Sequence, residues 1–141
     1  MVYDSQSAAQ TAQFAEKFAQ ELECGDVICM RGGLGAGKTA FVQGLAKGLG
    51  VKEVPSSPTF TIMNCYEGKY PLYHFDVYRI QDPDEMYEIG YDEYVGGDGV
   101  CVIEWAELIE DILPQRRYEI VIEKDYEKGD DYRRITIERK E

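Results

Sequence analysis

The feature that most constrains the fold is a glycine-rich segment, GGLGAGKT, at residues 32–39. It fits the pattern G-x-x-x-x-G-K-[ST], in which glycines let successive backbone N–H groups point inward around a phosphate. An apolar run at residues 27–30 precedes the segment and is typical of a buried parallel strand. Apolar residues at helical spacing follow it from residue 38 to residue 49. A strand, a loop and a helix in this order predict a phosphate-binding loop in an α/β protein.

The loop residues have distinct expected roles. Lys38 supplies a positive charge for the β- and γ-phosphates of a nucleotide, and the hydroxyl of Thr39 offers an oxygen to magnesium. The positive end of the following helix adds to this anion site. A glycine-rich turn without a ligand would need neither side chain, so binding of ATP with Mg²⁺ is the favoured interpretation. The predicted nucleotide-binding residues of this segment are Gly33, Leu34, Gly35, Ala36, Gly37, Lys38, Thr39 and Ala40.

A nucleotide hydrolase also needs an acidic group at the end of a second strand, to anchor the metal. Glu104 and Asp76 each end an apolar, strand-like run, and either could instead be an ordinary strand-end residue that faces water. His74, the only histidine, is more typical of a hydrogen-bonded residue on a half-buried strand than of a catalytic one. Trp105, the only tryptophan, is equally compatible with a core position and with a place near the nucleotide.

The rest of the pattern predicts further elements around the sheet. A helix is expected over residues 7–22, and a hairpin is expected to turn at residues 67–69. A short acidic helix is expected over residues 82–89, with Asp82 as its cap and Pro83 at its first position. The other predicted elements are strands over 59–66, 70–78, 100–103, 118–123 and 132–138 and a helix over 106–113. Their order indicates a P-loop NTPase-like three-layer α/β domain with a mixed, mainly parallel central sheet.

The composition bounds the domain organisation and the partners. The 141 residues carry evenly spread apolar residues and no linker, which predicts one domain over residues 1–141. A net charge of −12 opposes phosphate backbones, so direct binding of nucleic acid is not expected, although an acidic face can dock on a basic protein. Neither a membrane span nor a signal peptide is expected, and the cysteines lack metal-binding spacing. The sequence therefore predicts a cytosolic protein whose four cysteines are reduced core residues, two of them in strand-like apolar runs.

Four sequence blocks, in this order, resemble the bacterial TsaE (YjeE) ATPase family. They are G-x-L-G-A-G-K-T at residues 32–39, S-P-T-F at 57–60, H-F-D-x-Y-R at 74–79 and E-W at 104–105. The resemblance implies a small P-loop ATPase required for the threonylcarbamoyladenosine (t6A) modification of tRNAs that read codons beginning with A. It also implies docking on a TsaB-TsaD heterodimer, in which TsaD transfers the threonylcarbamoyl group. ATP hydrolysis would reset that complex between cycles, and the partners would hold the tRNA.

The resemblance also implies roles for individual residues. Lys38 and the loop amides would bind phosphate, and Thr39 and Glu104 would serve the magnesium. Asp76 would be a further carboxylate at the metal site or one that positions the attacking water. These assignments make Lys38, Asp76 and Glu104 candidate catalytic residues, together with Thr59.

Three further regions follow from the same resemblance. Thr59 would be a switch threonine that reaches the γ-phosphate or the metal, Trp105 would lie beside the nucleotide, and residues 5–11 would approach the adenine. The chain departs from the family at Gly33, where an Asp is common, and at Ala40, where a second Thr is common. The Ala40 departure removes one possible hydrogen bond to the α-phosphate, an effect of about 1 kcal/mol.

Other nucleotide-binding classes fit less well. The sequence contains neither N-K-x-D nor D-x-x-G, the motifs of GTPases, so ATP is favoured over GTP. The alternative function is that of a small P-loop kinase for a small-molecule acceptor. Such a kinase needs an arginine-bearing lid, for which residues 116–117 and 133–134 are the arginine pairs available.

Overall fold

The computed structural model of the chain describes residues 1–32, 37–55 and 63–141. Its strands are β1 (Val2–Ser5), β2 (Val27–Arg31), β3 (Met63–Tyr66), β4 (Leu72–Asp76), β5 (Val100–Glu104), β6 (Arg117–Lys124) and β7 (Arg133–Lys140). Its α-helices are α1 (Ala8–Phe18), α2 (Lys38–Gly48), α3 (Glu85–Glu88) and α4 (Tyr91–Tyr94). Segments of 3₁₀ helix cover Ala19–Glu21, Ala106–Ile112 and Tyr126–Lys128.

The strands form one sheet in the order β1-β7-β6-β2-β5-β4-β3. Pairing is parallel between β6, β2, β5 and β4, and antiparallel where β3, β7 and β1 join the flanks. Residues 27–30 of the central strand β2 are all buried, as expected for a parallel strand covered on both faces. The mixed, mainly parallel sheet of the sequence analysis is therefore confirmed.

Helical segments cover both faces of this sheet. On one face, α1 and α2 pack through Ala15, Phe18, Phe41 and Leu45 against strand residues such as Ile28. The other face is covered by α3, α4 and the 3₁₀ segment Ala106–Ile112, and its core cluster includes side chains of β4 and β5. The side chains of β2 and β5 alternate between the two clusters, which gives the predicted three layers.

The first two helices confirm the predicted patterns closely. The predicted helix over residues 7–22 corresponds to α1 and its 3₁₀ extension, and Ser7 Oγ accepts a hydrogen bond from Gln10 N at 3.1 Å as its N-cap. Helix α2 ends just before Gly50, which adopts a φ of 77°, as is common for a glycine that follows a helix. A Cβ at Gly44 would lie 2.2 Å from Ala12 O, so glycine is what allows α1 and α2 to pack this closely.

Other elements differ from the prediction or lie outside the described residues. The acidic helix expected over 82–89 is only α3, because Asp82 accepts hydrogen bonds from Asp84 N and Glu85 N in a turn that precedes it. The helix expected over 106–113 is a 3₁₀ segment broken at Ile109, whose φ is −125°. The hairpin is confirmed by antiparallel pairing of β3 with β4. Residues 59–62 of its first predicted strand lie outside the described residues.

The cysteines differ in burial. Cys29 and Cys101 are buried free thiols on β2 and β5, as the core interpretation requires, but Cys24 and Cys65 are exposed free thiols, so that interpretation is wrong for them. Burial raises the pKa of the Cys29 and Cys101 thiols to about 12.

No helix in the described ranges is long and apolar enough to cross a membrane.

Candidate functional site

The candidate carboxylates lie together at the carboxyl edge of the sheet. Glu104 pairs with Met30 on one side and with Asp76 on the other, in parallel register. Neighbouring strands are about 4.8 Å apart, so Glu104 and Asp76 are adjacent at the strand ends. Because β2 continues into the glycine-rich segment, Glu104 lies on the strand next to the start of the predicted phosphate loop, and Asp76 lies one strand further away. The structure thus brings together Asp76 and Glu104, which are 28 positions apart in the sequence.

The end of the phosphate-loop motif forms the N-terminus of α2. Gly37 adopts a φ of 99°, a left-handed conformation that favours glycine, and α2 begins at Lys38. The unpaired N–H groups of this first turn suit an anion. Lys38 is 7% exposed, and its Nζ donates a hydrogen bond to Gly32 O at 3.2 Å. Thr39 is exposed in the same turn.

Several predicted site residues lie outside the described residues. They are Gly33, Leu34, Gly35, Ala36 and Thr59. Their roles, and the roles of Gly37, Lys38, Thr39 and Ala40 toward a nucleotide, therefore stay predictions.

Glu104 is a buried carboxylate with a defined hydrogen bond. It ends β5 and is 5% exposed, and its Oε2 accepts a hydrogen bond from His74 Nε2 at 2.5 Å. His74 is itself 2% exposed on β4. The hydrogen-bonded interpretation of His74 is therefore confirmed, and its partner is one of the two candidate carboxylates.

Asp76 differs from Glu104 in its surroundings. It is half-buried, and its Oδ1 accepts a hydrogen bond from Tyr78 N at 3.1 Å, which closes a tight turn after β4. Val77 N donates to Glu104 O at 3.3 Å and extends the pairing of the two strand ends. Asp76 thus presents a carboxylate next to Glu104 while one of its oxygens also orders the backbone.

Trp105 lies at the same edge, and its half-buried side chain also packs against the core cluster that includes β4 and β5. It follows β5 with a φ of 63°, and it is the only residue other than glycine with positive φ in the described part of the chain. Its half-buried ring packs against Tyr78, with centroids 4.9 Å apart, and Lys38 Nζ lies 4.2 Å from the ring centroid. Strained backbone of this kind often accompanies functional sites. The structure therefore brings Trp105 next to the predicted phosphate-binding lysine.

Sequence reasoning missed an ion-pair cluster beside the loop. Arg31, the last residue of β2, donates from Nε to Glu119 Oε2 and from Nη2 to Glu110 Oε2, each at 2.7 Å. Arg117 Nε donates to Glu119 Oε1 at 2.5 Å. Burial acts to raise the pKa of Glu119, but hydrogen bonds from the two guanidinium groups outweigh it and lower that pKa. The signal in the sequence was a glutamate between apolar residues of a predicted strand.

A second missed residue is Arg133, which sequence reasoning considered only for a kinase lid. It begins β7, and a Cβ at Gly37 would lie 3.6 Å from its Nε. Its Nη1 donates to the carbonyl oxygens of Asp130 and Tyr132. These contacts hold the Arg133 guanidinium beside the N-terminus of α2. The sequence did not show this position, because it depends on the pairing of β7 with β6.

The donor set fits magnesium bound together with nucleotide phosphates. It consists of the Thr39 hydroxyl and the carboxylates of Glu104 and Asp76, all of them the hard oxygen ligands that Mg²⁺ prefers. Within the described ranges, no three His, Cys, Asp or Glu side chains cluster as a metal site. Mg²⁺ sites of nucleotide enzymes typically combine one or two carboxylates with phosphate oxygens, so this donor set suits such a site.

The fold and this edge define the class of protein. A mixed α/β sheet, with a G-x-x-x-x-G-K-T segment between its central strand β2 and helix α2, is a P-loop NTPase-like fold. Comparison with known families is more specific. The family described as "Threonylcarbamoyl adenosine biosynthesis protein TsaE" matches residues 5–135, and the chain belongs to this family.

Individual relatives agree with this assignment. The tRNA threonylcarbamoyladenosine biosynthesis protein TsaE of Bacillus subtilis is 50% identical over 129 residues, which cover 91% of this chain and 78% of the relative. TsaE of Treponema pallidum is 48% identical over 111 residues, which cover 79% of this chain and 82% of the relative. The crystal structure of Bacillus subtilis YdiB matches with a TM-score of 0.81 and 43% identity, covering 97% of this chain and 83% of YdiB. The predicted family and fold class are both confirmed.

Proposed function

We propose that this protein binds and hydrolyses ATP with magnesium and serves t6A biosynthesis as an accessory that docks on the TsaB-TsaD complex and resets it. The observation that carries the proposal is that Glu104 and Asp76 end neighbouring strands, and that the ring of Trp105, the residue after Glu104, lies 4.2 Å from Nζ of Lys38 in the G-x-x-x-x-G-K-T motif. Membership of the TsaE family supports the process in which this chemistry would be used.

Nucleotide binding would rest on the loop and on the first turn of α2. The N–H groups of that turn offer hydrogen bonds to phosphate oxygens, and the helix end adds a favourable potential. Lys38 Nζ has one hydrogen-bond acceptor among the described residues, Gly32 O, so it retains N–H groups for the β- and γ-phosphates. The face of Trp105 beside Lys38 would then flank the nucleotide.

Hydrolysis would rest on the two carboxylates. Glu104 is buried and ordered by His74, and it would orient the attacking water or anchor the metal. Asp76, on the neighbouring strand, would share this work through the oxygen that does not order the turn. Magnesium, when bound through Thr39 and these carboxylates, supplies positive charge that offsets the charge developing on the phosphoryl oxygens.

Coupling to the partners is proposed from sequence and charge. The S-P-T-F block contains Thr59, which would respond to the γ-phosphate and change an outer surface. The net charge of −12 opposes a phosphate backbone, so tRNA would be held by TsaB-TsaD rather than by this chain. The protein would work in the cytosol, where tRNA is modified.

The test is ATP turnover by purified wild type and two matched variants, with and without TsaB-TsaD. Glu104→Gln should lower turnover by roughly 100-fold or more, a typical cost for a group that acts on the transition state. Glu107→Gln removes an exposed carboxylate three positions further along and should behave as wild type. A chain that consumes ATP only when a small-molecule acceptor is added would instead favour the kinase alternative. A chain that does not bind Mg-ATP would contradict both.

A further inference from the structure

We propose that His74 is a positioning residue that holds one oxygen of Glu104, so that the other oxygen is available for the nucleotide reaction. The inference rests on the proposed ATPase function and extends it to a residue that does not touch the substrate. Its basis is the contact between His74 Nε2 and Glu104 Oε2, at 2.5 Å, between side chains that are 3% and 6% exposed. The imidazole N–H donates, because the carboxylate oxygen only accepts.

The register of two strands creates this contact. His74 pairs with Val102, and Asp76 pairs with Glu104, so His74 lies two residues back from the end of β4. Side chains at alternate positions of a strand share a face, which places His74 and Asp76 on the same face of β4. On that face Leu72 and Val102 pack with α1 and α2. Lys38 is in the first turn of α2. His74 therefore lies directly behind the predicted reaction site.

A comparison of two buried glutamates shows what is unusual about Glu104. Glu119 is 6% exposed and has both oxygens bonded to guanidinium groups, Oε2 to Arg31 and Oε1 to Arg117. Glu104 is 5% exposed, yet within the described ranges its one hydrogen-bond donor is His74, on Oε2. Glu119 is thus fully engaged in holding the fold, whereas Oε1 of Glu104 retains its capacity to accept a proton or a hydrogen bond or to bind a cation.

The second nitrogen of His74 gives independent support. Nδ1 is buried and has no hydrogen-bond partner in the described structure. An unpartnered buried polar atom costs stability, so a histidine is not the most stabilising residue for this place. Residues that reduce stability in this way are concentrated at functional sites. What the imidazole provides here is an N–H group that reaches from β4 to the carboxylate of Glu104 on β5.

Loss of the contact would release the Glu104 side chain to other rotamers. A hydrogen-bonded partner behind a catalytic or metal-binding group typically contributes 10- to 100-fold, roughly, to activity or metal affinity. The effect should fall on turnover and on the response to magnesium. Nucleotide affinity measured without metal should not change, because in this proposal His74 acts only through its hydrogen bond to Glu104.

The variants are His74→Leu, which removes the donor, and His74→Gln, which keeps an N–H donor with a reach similar to that of Nε2. Tyr73→Phe is the matched control, since it deletes a hydrogen bond to another carboxylate, Asp98, from the adjacent residue of β4. Single-turnover ATP hydrolysis should fall by roughly 10- to 100-fold in His74→Leu and recover in His74→Gln. Tyr73→Phe should match wild type. In a Glu104→Gln background, His74→Leu should have no further effect on turnover.

A second readout does not depend on activity. His74 is the only histidine, so its imidazole nitrogens give an unambiguous ¹⁵N spectrum. Adding Mg²⁺ to the ADP-bound wild type should shift the Nε2 resonance, and the shift should be absent in Glu104→Gln. Because this measurement uses the native histidine, it also tests the inference if His74→Leu does not fold.

Three results would overturn the inference alone while ATP hydrolysis by wild type stands. The first is a His74→Leu chain with a lowered unfolding temperature but wild-type turnover, which would make His74 merely structural. The second is a His74→Gln chain as slow as His74→Leu, which would show that the N–H donor is not what matters. The third is an equal magnesium-dependent Nε2 shift in wild type and Glu104→Gln. A wild type that binds no Mg-ATP would instead overturn the proposed function and, with it, this inference.

Discussion

Lys38 Nζ lies 4.2 Å from the centroid of the Trp105 ring, and the same ring packs against Tyr78. A cation over an indole face contributes about 0.5–2 kcal/mol, depending on how far it is removed from water. The contact joins the first residue of α2 to the residue that follows β5. The lone tryptophan therefore reports on the residue that is expected to bind phosphate.

The first prediction is that Trp105 fluorescence changes when Mg-ADP binds. Phosphate that engages Lys38 would alter the charge at the indole face, and a nearby base would alter its surroundings. Titration of wild type, followed by emission, measures the change. Lys38→Ala should change the emission before any nucleotide is added. A flat titration at concentrations that calorimetry shows to be saturating would return Trp105 to a packing role.

The second prediction is that Lys38→Ala weakens ATP binding and leaves the fold intact. A hydrogen bond to a charged group contributes about 2 kcal/mol, so the dissociation constant should rise by roughly 30-fold. Lys47→Ala is the matched control, because Lys47 is on the same helix and its side chain is 77% exposed. Calorimetric titration of each folded variant decides the point. Equal affinities in wild type and Lys38→Ala would contradict the phosphate-loop assignment.

Sequence alone predicted the parts of the fold whose patterns are long or strongly apolar. The run that became β2 and the periodic residues of α1 and α2 are of this kind. Strand β1 was missed because, of its four residues, only Ser5 is buried, so it gives no apolar alternation. Helix α4 was missed because a four-residue helix after a glycine is too short to show a period.

The same distinction between local patterns and long-range contacts applies to the residues of the site. Motif and strand-end position sufficed to select Lys38, Glu104 and Asp76 as candidates. The bond from His74 to Glu104 depends on the register of β4 against β5, which no local pattern determines. The bond from Arg31 to Glu119 likewise joins residues 88 positions apart through the pairing of β2 with β6. Long-range pairing is thus what the sequence could not supply.

The third prediction concerns the stability that Glu119 contributes. Its pKa is lowered in the folded protein, so its contribution is present above the ordinary value of 4.5 and is lost as the pH falls through the lower folded value. Glu119→Gln should therefore lower the free energy of unfolding by about 2 kcal/mol at pH 7 and by less at a pH well below 4.5. Denaturant unfolding at the two pH values measures the difference.

The control for this prediction is Glu138→Gln. Glu138 pairs with Glu119 across β7 and β6, but it is exposed. Its loss should change the stability little at either pH, because exposed charges contribute weakly. A Glu119→Gln effect of the same size at both pH values would show that the loss is one of packing rather than of charge.

The fourth prediction is that Asp76→Asn lowers ATP hydrolysis far more than ADP binding. Asparagine keeps the Oδ1 that accepts from Tyr78 N, so the turn after β4 should survive while the charge is removed. A carboxylate that serves the metal or the attacking water acts mainly as charge develops in the transition state. Turnover in the presence of the partners, compared with calorimetric ADP affinity, separates the two effects. Wild-type turnover in Asp76→Asn would leave the role to Glu104 alone.

The last prediction is that the protein binds TsaB-TsaD in the ATP state, loosens on hydrolysis and does not bind tRNA by itself. A nucleotide can control docking only if the partners have different affinities for the two nucleotide states. Size-exclusion runs with the purified pair should therefore show a complex with a non-hydrolysable ATP analogue and less complex, or none, with ADP. The net charge of −12 predicts that tRNA alone will not co-elute, even at low salt where phosphate contacts are strongest.

Equal co-elution in both nucleotide states would refute the control of docking by ATP. No co-elution in either state, together with ATP consumption that needs an added small-molecule acceptor, would support the kinase alternative.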